Sequence, residues 1–519
     1  MAPLPARGPS GVNRCLGPTL RSAAALALGL AAPLAFAPFH LLPLLFLSFG
    51  GLFLLLERTA SVRSAFLVGW LFGLGSFVAG LGWITEAFAV DADRFGALAV
   101  PALIALASGL GVFPAMALAA ARALSGQANG ARLLIAYLVC WACGEWLRGT
   151  VLTGFPWNLA GHAWGFADAP LQLAAVFGIY GLGLVTVAIC ALPALALATR
   201  RWWPLGASLA GLVLLWIYGV ARLAVPLPPD LDGVRLRLVQ TDVAQSLKWE
   251  PTERARNFAE LIALSTAPGA WPAGPTHLIW PETAVPFLVA EEPAVRAAIA
   301  DVVPSGGAVI TGAVRRAPNF DERPSMRNSL LVIDGAGEIL GGFDKVRLVP
   351  FGEFIPLREW LPGVPKLTDG AVDFSPGPTP TALPVPGLPA VWPLICYEAI
   401  FPARLPGVGP AAGWILTVTN DAWFGRSRGP HQHALAARVR AVELGLPMLR
   451  AANGGISFVT DAYGRERARL PLGTSGALDT ALPAALPGGT PYGRVGDLPF
   501  LGAIIIILIV LTATRQWRR

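Results

Sequence analysis

Five side chains in the second half of the chain have types that could together carry out chemistry on an acyl group. Glu282, Cys396 and Asn420 each follow a short apolar run that is typical of a buried strand, and α/β folds place their sites at such strand ends. Lys345 and Glu353 belong to a loop punctuated by glycine and proline. A free thiol has a pKa of about 8.5 and needs a base or a nearby cation to act as a nucleophile near neutral pH. A carboxylate can take the thiol proton, and a lysine ammonium can hold a developing oxyanion.

Taken singly, these residues also have structural interpretations. Cys396 could be a small buried hydrophobic residue, and Glu282 or Lys345 could be a surface charge. Lysine is rare here, because only positions 248, 345 and 366 carry it among 39 basic residues. A lysine in this arginine-rich chain therefore stands out, but residue type alone leaves both interpretations open.

Two other groupings could suggest redox or metal chemistry. Cys140 and Cys143 form a CxxC pair on a predicted membrane helix, where packing is favoured because no thioredoxin-like βαβ pattern surrounds them. His431 and His433 come nearest to a metal-binding arrangement, yet the five histidines and the acidic residues show no ligand spacing. We expect neither a metal nor a cofactor.

The segments that must position these residues include long hydrophobic runs as well as more polar stretches. Of its 519 residues 54% are hydrophobic and 14% are charged, whereas soluble domains carry about 25% charged residues. A spanning helix needs about 20 mainly apolar residues. Eight runs are candidates: 20–38, 41–57, 62–83, 96–120, 131–148, 171–198, 203–222 and 498–514. The first run also resembles a signal peptide ending at Ala35-Phe36-Ala37, but Pro38 and the later runs favour a retained helix.

These runs predict three parts: a seven-span membrane domain (1–222), an α/β domain (223–490), and an eighth span with a short tail (491–519). Arginines cluster in alternate loops, which by the positive-inside rule makes the N-terminus cytoplasmic. They are Arg7, Arg14, Arg21, Arg58, Arg63, Arg122, Arg132, Arg200 and Arg201. Seven crossings then place the α/β domain outside, and the eighth returns Arg515, Arg518 and Arg519 to the cytoplasm. Because the arginines lie beside apolar runs, the net charge of +7 is weak evidence for nucleic-acid binding, and we expect none.

Between residues 223 and 490, runs with strand periodicity alternate with runs of helical spacing. The predicted strands are 234–243, 276–280, 307–314, 328–333, 391–395, 414–418 and 456–460, and the predicted helices are 251–266 and 432–446. This alternation is typical of an α/β fold.

Two segments beside the apolar runs could lie where lipid meets this domain. Glu145 and Arg148 form either an interfacial ion pair or part of a lipid vestibule, since ionisable groups at membrane depth usually have a function. The segment 357–374, with Trp360, Leu361, Val364 and Leu367, is either a mobile arm over the site or an ordinary surface loop.

The sequence around the candidate residues resembles that of the nitrilase, or carbon–nitrogen hydrolase, superfamily. Trp-Pro-Glu282, Phe-Asp-Lys345 and Ile-Cys396-Tyr-Glu match its Glu, Lys and Cys triad in order. A fuller resemblance, to the apolipoprotein N-acyltransferase family, covers nearly the whole chain. It rests on the eight-span layout and on six further segments in order: Glu145–Asn158, Gln245–Trp249, Leu348–Pro356, Asn420–Gly425, Gly429–His433 and Pro491–Asp497. Two positions depart from the family pattern, Arg347 in place of His and Gly454 in place of Asn.

The resemblance implies an eight-helix membrane domain joined to a nitrilase-like αββα sandwich, in the inner membrane of a bacterium with the catalytic domain on the periplasmic side. It implies a two-step transfer without a cofactor. Cys396 would take an acyl chain from the sn-1 position of a phospholipid such as phosphatidylethanolamine, forming a thioester. The amine of a diacylglyceryl-cysteine apolipoprotein would then accept the chain.

The same resemblance implies roles for individual residues. Glu282 would be the general base, Lys345 would stabilise the oxyanion, and Glu353 would steady Lys345. The backbone N–H after Cys396 could share the oxyanion. Three further residues match motif positions near the site, with packing or positioning roles: Trp249, Tyr397 and Glu398.

Two other functions stay open at this stage. A membrane-tethered amidase or nitrilase would use the same triad with water as the acceptor and would present a polar mouth to solvent. A silent lipid- or lipoprotein-binding protein of the same fold would need a damaged triad, which this sequence does not have.

Overall fold

The computed structural model describes residues 17–320, 323–360, 366–367, 372–402 and 412–516. The chain begins with a helical region and continues into two β-sheets. The helices of eight or more residues are α1 (Pro18–Ala31), α2 (Pro43–Glu57), α3 (Val62–Leu81), α4 (Ala99–Leu110), α5 (Val112–Ser125), α6 (Ala131–Thr150), α7 (Ala174–Thr199), α8 (Trp203–Leu223), α9 (Arg254–Thr266), α10 (Pro293–Ala300), α11 (Gly429–Leu444) and α12 (Leu498–Gln516).

Helices occupy every predicted membrane run. In the described part of the chain, five helical segments are long and apolar enough to cross a membrane: Pro18–Ala35, Val62–Ala89, Ala92–Ser125, Ala174–Thr199 and Trp203–Leu223. Shorter apolar helices lie at Pro43–Glu57 and Leu498–Ala513, and the remaining predicted span is α6. The predicted total of eight crossings therefore stays a prediction, while a helical region with several membrane-length segments is established.

Small residues let these helices approach closely, as is usual where lipid surrounds a bundle. Gly29 of α1 lies against the backbone of Phe72 in α3, where a Cβ atom would collide with the carbonyl oxygen. Leu52 and Phe53 of α2 and Tyr137 of α6 are buried in the same core. The helices thus form a packed hydrophobic core of their own.

The strands form two six-stranded sheets. The first has the order β12-β1-β2-β3-β4-β5 and the second β11-β10-β9-β8-β7-β6. The strands are β1 (Arg235–Gln240), β2 (His277–Ile279), β3 (Ala308–Phe320), β4 (Arg323–Ile333), β5 (Ile339–Asp344), β6 (Leu383–Val385), β7 (Leu388–Ile395), β8 (Trp414–Asn420), β9 (Met448–Asn453), β10 (Ser457–Thr460), β11 (Glu466–Leu470) and β12 (Gly476–Ala481). β1, β2 and β3 run parallel, as do β7, β8 and β9.

The two sheets pack face to face and helices cover their outer faces. Leu238 and Ile310 of the first sheet share one buried core with Leu416 and Val418 of the second. On the outer face of the first sheet, α9 and α10 pack around Trp280, and α11 packs on the outer face of the second. This is the αββα arrangement that the resemblance implied.

The predicted strands 307–314 and 328–333 are longer than expected, and they pair with each other as a hairpin. β3 extends to Phe320 and β4 starts at Arg323, so polar residues that interrupt the apolar pattern are nonetheless strand residues. Arg315 and Arg327 on these strands both pair with the carboxylate of Asp344, with N–O distances of 2.5 and 3.0 Å. Five strands were not predicted: β5, β6, β9, β11 and β12. β6 is only three residues long, and β11 and β12 have no buried position.

Candidate active site

Strand ends from both sheets meet at one point of the sandwich. Glu282 lies shortly after β2 of the first sheet, while Cys396 directly follows β7 and Asn420 is the last residue of β8 in the second. The side chains of Glu282, Lys345 and Cys396 are all buried, at 5%, 1% and 8% exposure. The three residues of the predicted triad therefore lie inside the protein at the edge where the parallel strands end.

The Glu282 carboxylate is held by three donors. Its Oε1 accepts from Asn328 Nδ2 at 2.6 Å and from Lys345 Nζ at 3.4 Å, and its Oε2 accepts from the backbone N–H of Asn420 at 2.8 Å. The last bond joins the two sheets across the site. A carboxylate fixed in this way can accept a proton without moving.

Lys345 lies between two carboxylates. Its Nζ donates to Glu353 Oε1 at 2.9 Å, and Glu353 in turn accepts from Asn328 Nδ2 at 3.0 Å and from the backbone N–H of Val349 at 2.8 Å. Burial alone would lower the pKa of Lys345, but Glu353 and Glu282 raise that pKa well above its ordinary value. Lys345 therefore stays a charged ammonium, and Glu353 holds it as the resemblance implied.

Cys396 rests as a protonated thiol. Burial raises its pKa, the nearby Glu282 carboxylate raises it further, and Lys345 lowers it only in part. A reaction at this sulfur would therefore require removal of the thiol proton, and the Glu282 carboxylate is close enough to influence the thiol. Cys396 also has a φ of +52°, a left-handed conformation that L-residues seldom adopt.

The turn that carries Cys396 is tied to its surroundings by the next two residues. Glu398 accepts from the backbone N–H groups of Ile395, Val346 and Arg347 at 2.8, 2.8 and 3.1 Å. The Tyr397 hydroxyl donates to the carbonyl of Gly154 at 2.7 Å. Glu398 thus joins the turn to the residues after Lys345, and Tyr397 joins it to the helical region.

Next to Trp249, which matches a motif position near the site, the neighbouring Lys248 contacts Glu282. Trp249 is half-buried, and its carbonyl accepts from Arg254 Nε at 3.3 Å. Lys248 is buried, and its Nζ donates to the backbone carbonyl of Glu282 at 3.1 Å. Burial lowers the pKa of Lys248 to about 8, although Glu282 and Cys396 act in the opposite direction. The scarcity of lysine in the chain was the signal that could have identified it.

Glu145 and Arg148 both hydrogen-bond to residues that follow α6. Glu145 Oε1 accepts from the backbone N–H of Ala160 at 2.9 Å. Arg148 Nη1 donates to the carbonyls of Phe155 and Trp157 at 2.7 and 2.8 Å. Both side chains line a largely apolar cavity in the helical region. They therefore fix the loop whose Gly154 carbonyl receives the Tyr397 hydroxyl.

Large apolar side chains are exposed on loops beside the site. Leu152 is 99% exposed two residues before Gly154, and Leu357 and Trp360 are 74% and 82% exposed soon after Glu353. Part of the predicted arm, including Leu361 and Val364, lies outside the described residues. We call Leu152, Leu357 and Trp360 the apolar rim. Such exposed apolar side chains suit loops that face lipid, and the charged Glu359 is exposed next to Trp360.

The other candidate residues, Cys140, Cys143 and His433, have surroundings that fit structural roles. The Cys140 and Cys143 thiols are free and lie inside α6, in agreement with packing. Both ring nitrogens of His433 face protein atoms, Asp421 Oδ1 and the Cys396 carbonyl, so this ring is not available to a metal. Asn328 and Asp421 were also not predicted to contact candidate residues, since each is a common polar residue whose partners include residues of other elements.

Comparisons with known proteins cover nearly the whole chain. Residues 28–192 match the family model described as apolipoprotein N-acyltransferase N-terminal domain, and residues 235–492 match carbon–nitrogen hydrolase. The apolipoprotein N-acyltransferase of Bradyrhizobium diazoefficiens is 42% identical, covering 96% of this chain and 95% of that one. The protein of the same name from Rhodopseudomonas palustris is 41% identical, covering 95% of each. A solved mutant of the Nesterenkonia AN1 amidase, from the nitrilase superfamily, is 18% identical with a TM-score of 0.36, covering 52% of this chain and 97% of that one.

Proposed function

Because the chain belongs to the apolipoprotein N-acyltransferase family, we propose that it transfers an acyl chain from the sn-1 position of a phospholipid to the N-terminal amine of a diacylglyceryl-cysteine apolipoprotein. Phosphatidylethanolamine is the proposed donor, and a triacylated lipoprotein is the product. The observation that carries the proposal is the buried Lys345 ammonium, held by two carboxylates beside a protonated thiol. The proposed reaction uses only side-chain and backbone groups of the protein.

In the first step the Cys396 sulfur attacks the ester carbonyl carbon while Glu282 takes the thiol proton. Negative charge develops on the carbonyl oxygen, where Lys345 and the backbone N–H of Tyr397 donate to it. The carbon–oxygen bond of the ester then breaks. The departing lysophospholipid alkoxide takes the proton from Glu282, and the acyl chain remains on Cys396 as a thioester.

In the second step the apolipoprotein amine attacks the thioester carbonyl. Glu282 accepts the proton that the amine loses, and the carbon–sulfur bond breaks to give an amide. The sulfur takes the proton back from Glu282, which restores the resting thiol. Glu353 keeps the Lys345 ammonium aimed at the same oxygen in both steps, and Tyr397 and Glu398 hold the turn.

A membrane setting agrees with the helical region and with the apolar rim beside the site. We propose the division into a seven-span part (1–222), a periplasmic catalytic domain (223–490) and an eighth span with its tail (491–519). The proposed location is the bacterial inner membrane. A phospholipid donor could then reach Cys396 past Leu152 and Trp360 without leaving the bilayer.

The orientation predicts the behaviour of reporter fusions. Alkaline phosphatase, which is active only in the periplasm, is expected to work when fused after Gly464 and to fail when fused at the C-terminus. The reason is the odd number of proposed crossings before Gly464, together with arginines in alternate loops. Periplasmic activity of the C-terminal fusion would contradict the eighth crossing.

A reconstituted reaction tests the proposed function. Purified protein in detergent is given fluorescent phosphatidylethanolamine and a diacylated lipopeptide, and the products are separated. N-acylated lipopeptide together with lysophospholipid is the expected result, and Cys140→Ala should behave as wild type. Free fatty acid with unmodified lipopeptide would instead indicate a hydrolase that uses water as its acceptor.

A further inference from the structure

A buried hydrogen-bond network lies against the backbone of the nucleophile turn and has no part in the steps above. His433, in the first turns of α11, is 1% exposed. Its Nε2 lies 3.0 Å from the carbonyl oxygen of Cys396, and its Nδ1 lies 2.9 Å from Asp421 Oδ1. The ring therefore connects the nucleophile's own peptide to a carboxylate that follows β8.

Asp421 is itself fixed and charged. Arg450 Nη2 donates to its Oδ2 at 2.7 Å, and the Thr419 hydroxyl donates to its Oδ1 at 2.9 Å. Burial alone would raise the pKa of Asp421, but the Arg450 guanidinium and His433 lower it to about 2. Near neutral pH the carboxylate is ionised and can only accept hydrogen bonds.

The partners of His433 determine where its proton lies. A carbonyl oxygen only accepts, so Nε2 must carry a proton to bond the Cys396 carbonyl. Arg450 Nη2 also lies 3.2 Å from Nδ1. Nδ1 therefore either donates to Asp421 or accepts from Arg450, and Nε2 keeps its proton in both arrangements.

The hydrogen bond to the Cys396 carbonyl also affects the N–H group of the same peptide unit. The peptide group is planar, and in its trans form the C=O and the following N–H point in opposite directions. The N–H that belongs to the same plane as the Cys396 carbonyl is that of Tyr397. A bond that fixes the Cys396 carbonyl therefore also fixes the direction of the Tyr397 N–H. Cys396 itself has a φ of +52°, a conformation that needs support from its surroundings.

We propose that His433, oriented by Asp421 and Arg450, is a positioning residue that donates to the Cys396 carbonyl and thereby aims the Tyr397 N–H at the oxyanion. This inference rests on the proposed function, in which Cys396 is acylated. His433 contacts neither substrate nor the reacting sulfur in this scheme. It acts through the backbone of the turn.

Two amide substitutions separate this role from simple packing. In His433→Gln the side-chain amide nitrogen can take the place of Nε2 and donate to the Cys396 carbonyl, whereas in His433→Asn it takes the place of Nδ1 and is too short to reach. Both variants are polar and smaller than histidine. His431→Asn, two residues earlier on the same helix and half-buried, is the matched control.

The measurement is single-turnover acylation of Cys396 by fluorescent phosphatidylethanolamine, alongside thermal unfolding and alkylation of Cys396 by iodoacetamide. We expect His433→Asn to acylate about 10²-fold more slowly, the loss that misplacing a group by about 1 Å can cause. His433→Gln should keep most of the rate. Alkylation needs no oxyanion donor, so it should change little in either variant, and the KM for phospholipid should stay near that of wild type.

Equal acylation rates in the Gln and Asn variants would overturn the inference. If His433→Asn does not fold, His433→Leu takes its place, because leucine fills similar space without a donor, and equal rates in Leu and Gln would have the same meaning. Absence of acylation in the wild type would instead contradict the proposed function, so the two failures are distinguishable.

Discussion

Lys345→Arg is expected to be about as inactive in acyl transfer as Lys345→Ala, although arginine keeps the positive charge. The Lys345 side chain is 1% exposed, and its Nζ lies 2.9 Å from Glu353 Oε1 and 3.4 Å from Glu282 Oε1. This space suits one compact ammonium, whereas a guanidinium is planar and carries five N–H groups. Losing one oxyanion donor typically slows a reaction by about 10²–10³.

The measurement for Lys345 is the single-turnover rate of Cys396 acylation in the two variants and the wild type. Thermal unfolding and phospholipid binding serve as controls, since both variants are expected to fold and to bind the donor. Near-wild-type acylation in Lys345→Arg would mean that the residue supplies only general positive potential, and the proposed oxyanion role would fail.

Glu282→Gln is expected to slow acylation of Cys396 by about 10²–10⁴, the range typical for loss of a general base. The substitution keeps the size of the side chain but removes the group that takes the thiol proton. In the variant the Glu282 charge no longer raises the pKa of Cys396, but burial, the largest cause, still opposes loss of the thiol proton, and no base is present to take it.

The pH dependence of this variant supplies a second test. Without a base, reaction depends on the small thiolate fraction, so alkylation of Cys396 by iodoacetamide in Glu282→Gln should become faster as the pH rises through the alkaline range. Glu291→Gln, on an exposed carboxylate that pairs with Arg316, is the matched control and should resemble wild type. Acylation by Glu282→Gln within about tenfold of wild type would exclude general-base catalysis by this residue.

The sequence predicted the fold where apolar periodicity is strong. The buried strands that lead to Glu282, Cys396 and Asn420 are present, because β-branched and aromatic residues without polar interruptions are typical of central strands. The ends of β3 and β4 were wrong because Arg315 and Arg327 break the pattern. Their charges are compensated by Asp344, a partner that no local pattern can indicate.

In the candidate site, too, the sequence indicated some residues and missed others. Motif spacing identified Cys396, Lys345, Glu282 and Glu353, whose buried side chains lie together in the structure. It did not identify all of the residues that hold them. Asn328 bridges Glu282 and Glu353 at 2.6 and 3.0 Å, but it is a polar residue within a strand, and only the folded sheet brings it to both carboxylates.

The central claim is that the acyl chain passes through a thioester on Cys396, and intact-mass spectrometry tests it most directly. Protein is incubated with phosphatidylethanolamine and no apolipoprotein acceptor, and its mass is measured before and after neutral hydroxylamine. The wild type is predicted to gain the mass of one acyl chain, to lose it in hydroxylamine, and to release it as amide when a diacylated lipopeptide is added. Cys396→Ala should show no such gain. N-acylated lipopeptide formed by Cys396→Ala, or an unmodified wild-type mass during turnover, would contradict covalent catalysis at this residue.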